Sequence, residues 1–112
     1  MRSAKNIQLD LNNPVFLESW FALETAEAER VRSAFEKIHK LPWSEFYKSK
    51  GFKWEKVDSI PAPDGIDSLY TFRVTDSVRG VAYRDGNYLR VLLIQPDHDA
   101  TYGKNKWKLL MD

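Results

Sequence analysis

The sequence predicts one α+β domain, in which a helical first half packs on a mainly antiparallel sheet of four or five strands formed largely by the second half. Apolar residues recur at helical spacing up to residue 41, whereas short segments of alternating apolar and polar residues follow from residue 52. The chain has 112 residues, the usual size of one domain, and no linker divides it. We therefore expect a single domain over residues 1–112.

The first half contains one predicted strand and two main helices. Residues 7–11 alternate apolar and polar, which predicts a short strand. Asn13 and Pro14 favour a helix start, so the first helix is predicted over residues 14–23. Thr25 is the predicted cap of a second helix, which ends at Pro42, and a short helical turn should cover residues 43–50.

The second half predicts a sheet joined by hairpins. Asp76-Ser77 and Asp85-Gly86 are turn signals, and a Pro-rich segment at residues 59–67 predicts a wide loop. The predicted strands cover residues 52–57, 69–75, 78–84 and 88–95. The last of them is almost continuously apolar, which predicts burial on both faces. For residues 103–112 we expect a tail or a short terminal helix.

Composition excludes several classes of protein. Without cysteine the chain has no disulfide framework or thiolate metal site, which fits a reducing compartment. The longest apolar run, residues 91–94, is too short to span a membrane, and no apolar segment of a signal peptide follows Met1. We therefore expect a cytoplasmic protein without a membrane partner. A formal net charge of +1 gives no global indication of nucleic-acid binding.

Four arginines and no lysine lie between residues 73 and 90: Arg73, Arg79, Arg84 and Arg90. They either decorate solvated strand surfaces or form a phosphate-binding face, because the guanidinium fork matches phosphate oxygens. Arg73 and Arg79 flank the predicted turn at Asp76-Ser77. If both point to the same side of the sheet, they are cross-strand neighbours that can hold one phosphodiester from two sides.

His98 follows the last predicted strand and lies between Asp97 and Asp99. A neighbouring carboxylate raises the pKa of a histidine and fixes its tautomer, which suits acid or base catalysis. Tyr102, four residues later, can donate a proton or stack on a base. The alternative is a solvated loop with a helix cap, and no second ligand group indicates a metal site. Four tyrosines accompany the arginines and either stack on bases or pack in the core: Tyr70, Tyr83, Tyr88 and Tyr102.

Together these segments resemble the RelE/ParE superfamily of bacterial toxins. The resemblance rests on Gly-Phe-Lys-Trp-Glu-Lys at residues 51–56, Leu-Tyr-Thr-Phe-Arg-Val at 69–74, Val-Arg-Gly-Val-Ala-Tyr at 78–83, and the closing His98-Asp99-x-x-Tyr102. The two predicted helices precede them, so the resemblance covers most of residues 6–102.

The resemblance implies a RelE-like fold and an endoribonuclease toxin that cleaves mRNA on the ribosome, uses no metal or other cofactor, and is neutralised by a cognate antitoxin. By position, Arg73 and Arg79 would stabilise charge on the phosphate. His98 would be the acid or base, and Tyr102 would orient the nucleotide. Further RNA contacts would come from Lys53, Arg84 and Arg90.

The sequence also departs from the family pattern. Thr71 with a single Arg73 stands where ribonuclease members often carry paired lysines, and Val78 stands where a tyrosine precedes the arginine of the next strand. A second interpretation therefore stays open: a non-catalytic protein of the same fold that acts by binding another protein, as a ParE-like gyrase inhibitor or a solitary relative.

Overall fold

A computed structural model describes residues 5–96, which form three helices and one five-stranded sheet. The elements follow in the order β1 (Gln8–Asp10), α1 (Pro14–Phe21), α2 (Thr25–His39), α3 (Trp43–Lys48), β2 (Glu55–Val57), β3 (Leu69–Arg73), β4 (Val78–Asp85) and β5 (Tyr88–Pro96). The strand order in the sheet is β1-β5-β4-β3-β2. β1 is parallel to β5 and the other three neighbouring pairs are antiparallel, which confirms the predicted fold class. The predicted tail lies outside the described residues.

The helix starts follow from local hydrogen bonding. Asn13 caps α1 as predicted, because its side-chain oxygen accepts the backbone N–H of Val15 at 2.8 Å. Thr25 is the first residue of α2 and not its cap. The extended residue before it, Glu24, takes the N-cap position, and within residues 5–96 no side-chain cap bond is formed there. A weak cap suffices because tertiary packing supplies most of the stability of a helix in a protein.

The helices cover one face of the sheet and form the larger core. The apolar face of α2 is buried over its whole length, at Val31, Ala34, Phe35 and Ile38. These residues join a cluster with β-strand side chains, among them Phe72, Val78, Ala82, Leu89, Val91 and Ile94. Burial of each large apolar side chain contributes about 1.5–3 kcal/mol, so this layer holds the helices on the sheet.

The middle of the second sheet face is also covered, by the loop between β2 and β3. Leu69, Val81, Leu92 and Leu93 form a second buried cluster, against which loop residues Ile60, Ala62 and Ile66 pack. A bulge at Val81/Ala82 shifts the register between β4 and β5. β5 is therefore buried on both faces, as its apolar run predicts.

Only a short strand, β1, pairs with the outer edge of β5, at Tyr88, Leu89 and Arg90 among the described residues. Nearer the end of β5, helix α1 covers this edge of the strand. The backbone N–H of Ile94 donates to Ser19 Oγ at 3.2 Å, and the Ser19 hydroxyl donates to the Phe16 carbonyl at 2.7 Å. A buried serine thus satisfies a strand N–H that has no neighbouring strand to receive it.

An ion pair joins β1 to β5 at their shared register. Asp10 lies opposite Arg90, whose guanidinium donates to Asp10 and, at 2.9 Å, to Asp85. Burial alone raises the pKa of Asp10, but hydrogen bonds from Arg90 and from the Asn12 backbone outweigh it and hold this pKa below its ordinary value of 3.8. The ionised carboxylate is therefore the form that the fold favours.

We expect Asp10→Asn to lower the free energy of unfolding by about 1 kcal/mol at neutral pH. Because the pKa of Asp10 is depressed in the folded state, its stabilisation is present above the unfolded pKa and is lost as pH falls through the folded pKa. Urea unfolding of both proteins at neutral pH and well below the pKa of the carboxyl measures this. A difference that stays constant with pH would contradict the ion-pair explanation.

Candidate functional site

Arg73 and Arg79 lie directly opposite each other in β3 and β4. Arg79 in turn lies opposite Gln95 in β5. Paired residues of antiparallel strands point to the same face, and neighbouring strands are about 4.8 Å apart. Three polar side chains therefore form a line across three strands, which we call the basic row (Arg73, Arg79, Gln95). The sequence leaves open whether the two arginines point to the same side of the sheet, and this register shows that they do.

The β3–β4 turn next to the basic row is held by several hydrogen bonds. The Val74 N–H donates to the Val78 carbonyl at 2.9 Å, and the Ser77 N–H donates to Thr75 Oγ1 at 3.2 Å. The Ser77 hydroxyl then donates to a carboxylate oxygen of Glu27 at 3.0 Å, which ties the turn to α2. A tight turn anchored on a helix fixes the register that brings the two arginines opposite each other.

Additional cations lie beside Arg73. Its backbone N–H donates to the Phe52 carbonyl at 2.6 Å, which places the exposed Lys53 next to it in the fold. Lys53 has a φ of 50°, a left-handed conformation that costs a residue with a side chain roughly 1 kcal/mol. Arg73 also lines a groove of about 640 Å³ together with Arg30 and Lys37 of α2. Glu29 and Asp76 line the same groove, so three cations outnumber two carboxylates at this end of the sheet.

Gln95 was not predicted as a site residue. Its side-chain oxygen is buried and has no hydrogen-bond partner within residues 5–96. Leaving such an acceptor unpaired costs about 1–3 kcal/mol, which makes a carboxamide at this position a group of functional interest. Counting along the strands from the Asp85-Gly86 hairpin, where Asp85 pairs with Tyr88, places Ile94 opposite Arg79. The bulge in β4–β5 changes that count by one residue, so the sequence alone does not reveal the pairing.

Arg84 and Arg90 lie at the other end of β4 and β5. Arg84 donates to the Gly86 carbonyl at 2.8 Å and to the Tyr47 hydroxyl at 2.9 Å, and its guanidinium carbon lies 4.7 Å from the centre of the Trp43 ring. Arg90 is held by the carboxylates of β1 and β4 described above. The structure thus divides the four arginines into two groups, and RNA contact by Arg84 and Arg90 stays a prediction.

Comparison with known proteins decides the type of fold. The chain is similar to a solved structure described as the archaeal RelE-RelB complex from Pyrococcus horikoshii OT3, with a TM-score of 0.55 and 14% identity, over 87% of this chain and 99% of that chain. The chain has a RelE-like fold. No family model and no curated protein matches it. The fold implied by the sequence motifs is confirmed, while an identity of 14% carries no information on activity.

Two predicted site residues of the RelE-like domain, His98 and Tyr102, lie outside the described residues. The last described residue, Pro96, is paired with Val78, one residue pair beyond the basic row. His98 comes two residues later in the sequence. Its role as acid or base stays a prediction.

Within residues 5–96 no three histidine, aspartate or glutamate side chains gather in a way that could hold a metal ion. In that same part of the chain, none of the helices is both long enough and apolar enough to cross a membrane.

Proposed function

We propose that this RelE-like chain is the toxin of a toxin–antitoxin pair and cleaves mRNA on the ribosome, without a metal, in the cytoplasm. The observation that carries the proposal is the pairing of Arg73 with Arg79 across adjacent strands. Two guanidinium groups at this spacing can each donate hydrogen bonds to one phosphodiester and stabilise the charge that develops on it.

The cleavage would use the RNA itself as the nucleophile. The ribose 2′-oxygen forms a bond to phosphorus while the bond from phosphorus to the 5′-oxygen of the next nucleotide breaks. One proton leaves the 2′-hydroxyl and another is delivered to the departing 5′-oxygen. The products are a 2′,3′-cyclic phosphate and a 5′-hydroxyl end, so no co-reactant is needed.

Each predicted residue has one role in this scheme. Arg73 and Arg79 bind the phosphate, and their charge stabilises the pentavalent transition state. His98, between Asp97 and Asp99 in the sequence, would transfer a proton. Tyr102 would orient the nucleotide. Lys53 would bind a flanking phosphate from its exposed position beside Arg73.

A small protein partner is part of the proposal. The similar solved structure is a complex of RelE with RelB, as its description states. By analogy we propose a cognate antitoxin that covers the basic row, for which an acidic or helical segment is the matching chemistry. Arg30, Lys37 and Arg73 line the groove next to the row and would attract such a segment.

A second candidate function is binding of a protein target without catalysis, of the ParE-like type. The net charge of +1 favours it, because a chain that binds ribosomal RNA gains from a large excess of positive charge. The pairing of Arg90 with Asp10 and Asp85 favours it as well, since this arginine is already engaged by acids of the protein.

The two candidates differ in what happens to messages when the chain is expressed from a regulated promoter. For the toxin we expect growth arrest, and sequencing of 5′ ends should place new cuts inside ribosome-bound mRNA. His98→Ala should abolish the cuts. Arg32→Ala is the control, because this helix arginine is 60% exposed and is paired only weakly with Glu29 and Glu36 of its own helix.

Intact messages and normal growth at a verified protein level would contradict ribonuclease activity. Recovery of gyrase or another defined protein with the chain, together with intact mRNA, would support the second candidate instead.

A further inference from the structure

A second concave surface lies at the opposite end of the sheet from the basic row. It is a pocket of about 460 Å³ between α3, the start of β3 and the end of β4. Four of its lining residues are aromatic: Tyr47, Trp54, Tyr70 and Tyr83. Its size falls within the roughly 300–1,000 Å³ of small-molecule sites. The pocket shares no lining residue with the groove beside Arg73.

The aromatic wall of this pocket is built as a stack. The rings of Trp54 and Tyr70 are nearly parallel, with centres 4.6 Å apart and an interplanar angle of 9°. Trp54 is also in edge contact with Trp43 and Phe46, so the stack is fixed to the core. Tyr47 on the other side is 49% exposed. Flat, rigid aromatic faces that water can reach are what a nucleobase requires for stacking.

The pocket also contains a positioned cation. Arg84 is exposed, yet its guanidinium is fixed by the Gly86 carbonyl, by the Tyr47 hydroxyl and by the ring of Trp43. Two of its five N–H groups make these bonds, and the guanidinium keeps its charge. A preorganised arginine loses little conformational entropy on binding a phosphate. The same cation disfavours a positively charged ligand in this pocket.

We infer that this pocket binds one nucleotide of single-stranded RNA, with its base against the aromatic wall and its phosphate on Arg84. Asp67 and Ser68 line the same pocket and offer oxygen acceptors to donor groups of a base edge. The second acidic lining residue, Asp85, is paired with Arg90 at 2.9 Å, which offsets its repulsion of a phosphate. The inference extends the proposed function and rests on it, because the proposed function is what identifies the polymer as RNA.

The pocket lies round the end of the sheet from the basic row. Tyr83 is on the same face of β4 as Arg79, whereas Arg84 and Tyr70 are at odd spacings from Arg79 and Arg73 and point to the helix face. Four residue steps separate Arg79 from Tyr83, which is about 13 Å. An RNA strand that runs along β4 and turns over its end at Tyr83 would contact the basic row and the pocket with different nucleotides. The pocket would then add affinity and fix the register of the message over Arg73 and Arg79.

Binding of a short unstructured RNA and, separately, of adenosine 5′-monophosphate tests the inference, with Arg84→Met and Tyr47→Leu as the variants. We expect each variant to weaken RNA binding about tenfold, since loss of one stacked base or phosphate contact costs on this scale. Arg84→Met should also reduce the slope of log affinity against log salt by about 0.7. The free nucleotide should bind more weakly than the RNA and lose its binding in both variants.

Arg32→Met is the matched control, because it removes the same charge from an exposed helix position. Thermal unfolding verifies that each variant is folded. If Arg79→Ala weakens RNA binding while both pocket variants bind like wild type, the pocket inference is overturned and the proposed function stands. If the wild-type chain binds neither the RNA nor the nucleotide, the pocket inference is overturned, whereas the proposed function is overturned only if mRNA on ribosomes stays intact.

Discussion

Replacing Gly80 by alanine is expected to destabilise the fold, because the added methyl group clashes with a buried ring. A Cβ atom at Gly80 would lie 2.6 Å and 2.7 Å from two ring carbons of Phe72, and 3.2 Å from Val74 Cγ2. Phe72 is fully buried and faces Gly80 directly across β3 and β4, so its ring has no empty space to move into. Overpacking of this kind costs about 1–3 kcal/mol.

The opposing effect at Gly80 is smaller. Alanine in a strand interior is favoured over glycine by about 0.5–1 kcal/mol, because it restricts the unfolded chain more. The clash therefore dominates, and we expect a net loss of about 1–2 kcal/mol in urea unfolding. Gly51→Ala is the control, since its Cβ would meet Ser49 Oγ at an ordinary 3.6 Å. An equal effect at both glycines would contradict the proposed steric cause.

A double variant distinguishes this clash from a general sensitivity of strand β4 to substitution. Phe72→Leu alone should destabilise the chain, because it removes ring atoms from a filled core. In the Gly80→Ala background the same change also removes the clash. We expect the double variant to be more stable than the sum of the single effects predicts, by about 1 kcal/mol or more. Strict additivity would show that the two side chains are not in conflict.

The sequence patterns predicted the elements well where local periodicity and burial agree. The predicted apolar face of α2 is confirmed, because Val31, Ala34, Phe35 and Ile38 are all buried. β2 was predicted over six residues but forms only three, Glu55–Val57, among the described residues. The preceding residues Phe52 and Trp54 are apolar for a different reason, since their rings pack against Phe46. Alternation alone does not distinguish strand pairing from aromatic packing in a loop.

The candidate site was predicted in part. The sequence predicts that Arg73 and Arg79 flank one tight turn, but a two-residue turn at Asp76-Ser77 would pair Arg73 with Gly80, and the observed register is shifted by one residue. The environment of the other arginines was not predicted, because Arg84 contacts Tyr47 and Trp43, which lie about forty residues away in the sequence. Likewise, the aromatic pocket combines α3 with the β2–β3 loop, and no local pattern records such a contact.

Replacing either arginine of the basic row by alanine should lower the rate of RNA cleavage about 10²–10³-fold. The reason is that each guanidinium would stabilise charge that develops on the phosphate in the transition state, so kcat should fall more than KM rises. Cleavage of an mRNA on purified ribosomes, followed with Arg73→Ala, Arg79→Ala and the double variant, measures this. Arg32→Ala again serves as the control for loss of one positive charge.

The double variant decides whether Arg73 and Arg79 act together. If both hold the same phosphate, removal of the second arginine should cost much less than removal of the first, because groups that act as a unit are not additive. Arg79→Lys should keep part of the activity, since it retains the charge but loses the planar fork that binds two oxygens. If the two single losses of cleavage rate multiply fully in the double variant, the two arginines bind different phosphates. In that case their register across β3 and β4 would position neighbouring nucleotides along the message, and transition-state stabilisation would rest on one guanidinium alone.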